Sequence, residues 1–83
     1  MKVYLLTKET FKENENPHNV TFKIFAKEET AKQFLRDEIA EGKRKFDKIE
    51  FVVQNECCAL FYGYKSSVKE TVALCYTEQF IIE

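Results

Sequence analysis

Eighty-three residues, 45% hydrophobic and 33% charged, with two glycines and one proline, exclude collagen-like, low-complexity and charge-dominated disordered chains. A formal net charge of −1 supplies no overall field toward nucleic acid or membranes. A chain this short buries only about two-thirds of the surface that its unfolded form exposes, so eight phenylalanines and four tyrosines must do much of the work of building its core.

Residues 2–7 read as a β-strand, with Val3, Tyr4, Leu5 and Leu6 apolar on both faces in the manner of a central strand. Residues 8–19 are polar and hold Asn14, Asn16, Pro17 and Asn19, which predicts a long loop of the kind that often carries function. Phe11 is its one large apolar residue. Residues 20–26 alternate, Val20, Phe22 and Ile24 against Thr21 and Lys23, and predict a second strand. A helix follows from Glu28 to Glu41. Glu28 and Glu29 suit its N-terminus, Gly42 offers a left-handed stop, and Lys43, Arg44 and Lys45 come next. Ala31, Phe34, Leu35 and Ile39 form one buried stripe. Glu38 falls inside that apolar arc. It reads first as a boundary carboxylate reaching a tyrosine or solvent, and second as a partly buried functional acid.

Residues 48–54 alternate Ile49, Phe51 and Val53 against Glu50, Val52 and Gln54, and Asn55-Glu56 suits a two-residue turn. This register sets Val53 opposite Cys58, Phe51 opposite Leu60 and Ile49 opposite Tyr62. A five-residue loop over Lys65–Lys69 then sets Tyr62 opposite Val72, Leu60 opposite Leu74 and Cys58 opposite Tyr76. The predicted fold is α+β: one domain over residues 1–83, ordered ββαβββ, a mostly antiparallel five-stranded sheet with one helix on one face. Phe34, Leu35, Phe51, Leu60 and Leu74 are its expected core. The helix is expected over Ile49, Phe51, Val53, Leu60, Tyr62, Val72 and Leu74. The opposite face then carries Val52, Ala59, Phe61, Gly63, Ala73 and Cys75 with nothing to cover it.

No residue pattern points to catalysis, a metal or a cofactor. His18, the only histidine, sits in the polar loop with no cysteine at a supporting spacing. Cys57, Cys58 and Cys75 lack a C-x₂-C spacing, and adjacent cysteines on a strand diverge, so three free thiols are expected. The two glycines lie at a helix end and within a strand, which leaves no Gly-rich phosphate loop. The opening residues hold too short an apolar run for a secretory signal, and no stretch reaches the roughly eighteen apolar residues of a spanning helix. A cytoplasmic protein is expected. The cluster Lys43, Arg44, Lys45 and Lys48, with Phe61 on the open face, offers a nucleic-acid reading; a helix C-terminus complemented by cations accounts for the same residues.

Val3-Tyr4-Leu5-Leu6-Thr7, followed by Ile24-Phe25-Ala26-Lys27-Glu28-Glu29-Thr30-Ala31, resembles the ββα start of small phage and prophage proteins. The resemblance spans about the first forty residues and departs at Ala26, where a capping Ser or Thr is usual. Some phage proteins of this size, anti-CRISPR proteins among them, are inhibitors that dock onto host complexes. The uncovered sheet face of small residues, the polar loop from Lys8 to Asn19 and the apolar tail Phe80-Ile81-Ile82 lead to a non-enzymatic protein-binding domain as the expected function, with inhibition of a host complex as what the resemblance implies. The partner is another protein or a second copy of this chain, and no membrane is involved. Phe61, Ala59, Ala73, Phe80, Ile82 and Phe11 are the candidate contacts. The alternative is a nucleic-acid binder using Lys43, Arg44, Lys45 and Lys48.

Overall fold

The structure, a computed structural model, describes residues 1–12 and 19–82. Five strands and one helix follow in the order β1 (Lys2–Lys12), β2 (Asn19–Phe25), α1 (Glu28–Lys45), β3 (Lys48–Gln54), β4 (Cys58–Lys65) and β5 (Val68–Phe80). The strands form a single antiparallel sheet in the order β2-β1-β5-β4-β3, with α1 on one face. This is the predicted α+β class and element order. β1 is an interior strand, in keeping with its two apolar faces, and β5 is the central one.

The first hairpin is longer than composition suggests. Lys8–Lys12 continue β1 and Asn19 opens β2, so half of the expected loop at 8–19 is ladder, with Thr10 opposite Asn19. Cross-strand pairing on both sides of β1, to β2 and to β5, outweighs the polar character of Lys8, Glu9 and Thr10. The rest of that loop, including Asn14, Asn16, Pro17 and His18, lies outside the described residues.

α1 presents Ala31, Leu35 and Ile39 to the sheet, as the periodicity requires. Phe34 lies beside this stripe, half-buried, with its ring 5.6 Å from that of Phe25. The helix does not stop at Gly42. It runs one turn further, to Lys45, and its cap at Phe46 donates its N–H to the Gly42 carbonyl at 2.9 Å. Gly42 serves close approach instead: a Cβ there would stand 3.1 Å from Cζ of Phe61 and 3.6 Å from Cδ1 of Ile49. Phe46 then folds its ring over Gly63 of β4, where a Cβ would run into it.

Both C-terminal hairpins differ in register from the sequence-based expectation. In the first, Ile49 lies opposite Gly63 and Phe51 opposite Phe61; a bulge between Phe51 and Val53 then brings Val53 opposite Leu60. The Asn55 side chain organises the turn, its Oδ1 accepting the N–H groups of Cys57 at 3.0 Å and Cys58 at 2.8 Å. In the second hairpin Lys65 pairs with Val68, so the loop is Ser66-Ser67 alone, with φ of 51° and 66°. Positive φ at both central residues is the backbone of a type I′ hairpin turn, whose twist matches that of the strands. Leu60 therefore faces Ala73, and Phe61 faces Val72.

The core lies between α1 and this face of the sheet. Leu6, Ala31, Leu35, Ile39, Phe46, Ala59, Phe61, Val72, Leu74 and Tyr76 form it. Of the expected core, Leu35 and Leu74 belong to it and Phe34 and Phe51 pack against it, while Leu60 points to the other side.

Candidate interaction surface

Register decides which side chains this protein offers to its surroundings. Along β4 the buried residues are Ala59, Phe61 and Gly63, and the half-buried ones are Cys58, Leu60, Tyr62 and Tyr64. Phe61 is 1% exposed and Ala59 2%. Their expected place on the open face is thus corrected: both lie beneath the helix and cannot meet a partner while the fold is intact. Ala73 does lie on the open face, half-buried, beside Cys75.

Cys58 and Cys75 stand directly opposite each other on that face, 4.2 Å apart at Cα, and form a cross-strand disulfide. This overturns the expectation of three free thiols. The expected register kept Cys58 away from Cys75; the observed one makes them a closely spaced, non-hydrogen-bonded pair. Cys57 remains free, with its backbone N–H and Sγ both directed to Asn55 Oδ1.

Strand alternation assigns the rest of the open face: Val20, Phe22 and Ile24 from β2, Leu5 and Thr7 from β1, and Val53 from β3. Phe22 and Ile24 are 64% and 67% exposed. A shallow concavity of about 350 Å³ lies among Thr7, Val53, Cys58, Leu60, Ala73 and Cys75. Phe11 joins this side of β1 opposite Thr71 and is 47% exposed. Phe80 belongs to the opposite side, paired with Lys2, and the ladder continues one residue further, Ile81 donating its N–H to the Met1 carbonyl at 2.8 Å. The apolar tail is thus anchored on its own domain up to Ile81, with Ile82 94% exposed.

The basic cluster is not a single patch. Lys43, Arg44 and Lys45 form the last helical turn. Arg44 reaches Glu41 at 2.6 Å, and Lys45 reaches the buried Glu70 at 3.2 Å. Lys43 sits over the Phe51 ring, whereas Lys48 sits over Tyr64 on the open face. Helix-dipole complementation and local pairing account for most of these charges.

Glu38 finds a partner that the sequence reading assigned to a loop. The Lys8 Nζ lies 2.8 Å from its Oε2, across the seam between helix and sheet. The Tyr76 hydroxyl, at the other end of this seam, donates to Glu28 Oε2 at 3.2 Å. Burial, then that carboxylate, pushes the Tyr76 phenol up to about 12. Both acids thus hold structural contacts between α1 and the sheet. Among the described residues no group of His, Cys, Asp or Glu gathers as metal ligands do, and no helix is long and apolar enough to cross a membrane. No protein-family model, no curated protein and no solved structure matches this chain.

Proposed function

We propose that this chain is a non-enzymatic protein-binding domain that docks through the open face of its sheet. The observation that carries this reading is the sheet face that no described element covers, where exposed Phe22, Ile24 and Val53 and half-buried Leu5, Leu60 and Ala73 surround Thr7 and the Cys58–Cys75 pair. A sheet face of this composition is stabilised when a partner removes it from water, at roughly 25 cal/mol per Å² of apolar surface. Inhibition of a host complex, as the resemblance implies, would use this same face. The test compares wild type with Leu60→Glu in capture from lysate, with circular dichroism as the folding check. Leu60 points away from the core, so the variant should fold and lose the partners that wild type retains. Partners kept equally by both would sink the reading.

A second reading gains from the corrected register. The open face carries Tyr62 and Tyr64, and cations sit over both: Lys69 4.0 Å from the Tyr62 ring centroid and Lys48 5.8 Å from that of Tyr64. Aromatics interleaved with lysines are what a single-strand stacking platform uses. Glu50, opposite Tyr62, and Glu9 on the same face oppose a phosphate backbone, which keeps protein docking first. Binding of a labelled oligonucleotide that weakens steeply with salt would reverse that order.

A further inference from the structure

The two edges of the sheet are built differently. β3 carries Lys48 and Glu50 and is interrupted by its bulge, features that discourage a further strand. β2 has no bulge and fewer charges. Its register with β1 is unbroken from Phe25 to Asn19, it contains neither proline nor glycine, and Lys23 is its one charge.

The hydrogen-bond alternation shows what β2 offers. Met1 and Ile81 exchange both main-chain bonds, so odd-numbered residues of β1 bond to β5 and even-numbered ones to β2. The partners of Tyr4, Leu6, Lys8 and Thr10 are Phe25, Lys23, Thr21 and Asn19. Those four β2 residues spend their N–H and C=O groups on β1. Val20, Phe22 and Ile24 therefore direct theirs outward, at the free edge.

We propose that β2 is a homodimerisation edge, pairing antiparallel with β2 of a second copy about a two-fold axis at Phe22. The occupant is a second copy because this strand is complementary to itself. Phe22 is the midpoint of Asn19–Phe25, so this register overlaps the whole strand. It sets Phe22 opposite Phe22 of the other copy and Val20 opposite Ile24, each pair exchanging the main-chain bonds that β1 leaves unused. Lys23 falls opposite Thr21, which separates the only like charges; centring the axis on Lys23 would set two ammonium groups face to face. Both copies keep their apolar faces on one side of a continuous sheet, since an isologous axis normal to the sheet preserves the faces. The inference stands on the strand edge and not on the docking of a different protein on the face, and different variants test the two.

Sedimentation of the intact chain should give a species of twice the chain mass. Phe22→Pro removes only an outward N–H, which an edge strand tolerates, and should yield a folded monomer. Phe22→Lys should do the same by placing like charges opposite each other. Mixing Phe22→Lys with Phe22→Glu should restore the dimer, because Phe22 faces itself; Leu60→Glu should leave it intact. A wild type that stays monomeric at the highest soluble concentration overturns the proposal. So does a dimer that survives Phe22→Lys, or a Phe22→Lys and Phe22→Glu mixture that stays monomeric.

Discussion

β4 shows how little separates core from surface in this domain. On one side it carries Ala59, Phe61 and Gly63, closed beneath α1; on the other, Leu60, Tyr62 and Tyr64, half-buried and open to partners. Hydrophobicity alone gives no reason to prefer the first set. What selects it is shape. Gly42 lets the helix approach the Phe61 ring, and Gly63 receives the ring of Phe46. The other side of β4 carries no glycine, and a side chain in the place of Gly63 would meet the Phe46 ring. The inner set interlocks with α1, whereas the outer set is only coplanar with its neighbours.

The comparison breaks most directly at Phe61 and Leu60. Phe61→Ala should cost about 3–5 kcal/mol, as full burial of a phenylalanine implies, while Leu60→Ala, partly exposed on the open face, should cost about 1 kcal/mol or less. Urea unfolding of both variants measures the difference. The reverse order of costs would mean that β4 faces the helix with its other side.

Tyr76 sharpens the contrast through pH. Its folded pKa lies above the ordinary value of 10.0, so the neutral phenol is the form that the fold favours. That contribution is fully present below pH 10 and is lost as pH rises toward about 12, where the buried phenolate must form. Spectrophotometric titration should show a tyrosine ionising near the top of this window, and Tyr76→Phe should abolish that component. Stability to urea should fall over the same range in wild type and less in the variant.

The smallest effect tests the turn that sets the β4–β5 register. Ser66 and Ser67 both adopt positive φ, which costs a residue with a Cβ roughly 1–2 kcal/mol. Replacing the pair by Asn-Gly, the preferred residues of such a turn, should stabilise the protein by about 1 kcal/mol without moving any strand. Thermal unfolding measures it. A loss of stability would argue for a longer loop at this position.

Much of the architecture is written in short stretches of sequence. Period-2 runs, and in β1 a continuous apolar run, marked the positions of all five strands. The stripe of Ala31, Leu35 and Ile39 oriented the helix, and a single helix for a five-stranded sheet left one face open. These follow from periodicity and local chemistry, which act within a window of a few residues. Register does not. The first C-terminal hairpin sits two residues from its expected pairing next to Asn55 and one residue from it beyond the bulge, and the second, through its serine turn, sits one residue away. Two such slips cancel for Ile49 and Phe51 on β3 and for Val72 and Leu74 on β5, which keep their expected face, while β4 between them is inverted. Phe61 thereby moved from proposed contact to core, and Cys58 met Cys75. The same holds for Lys8 and Glu38, thirty residues apart in sequence, which become partners once β1 extends past Thr7. Such outcomes depend on which strand lies beside which and on what fits beneath the helix, and those constraints exist only once the chain has folded.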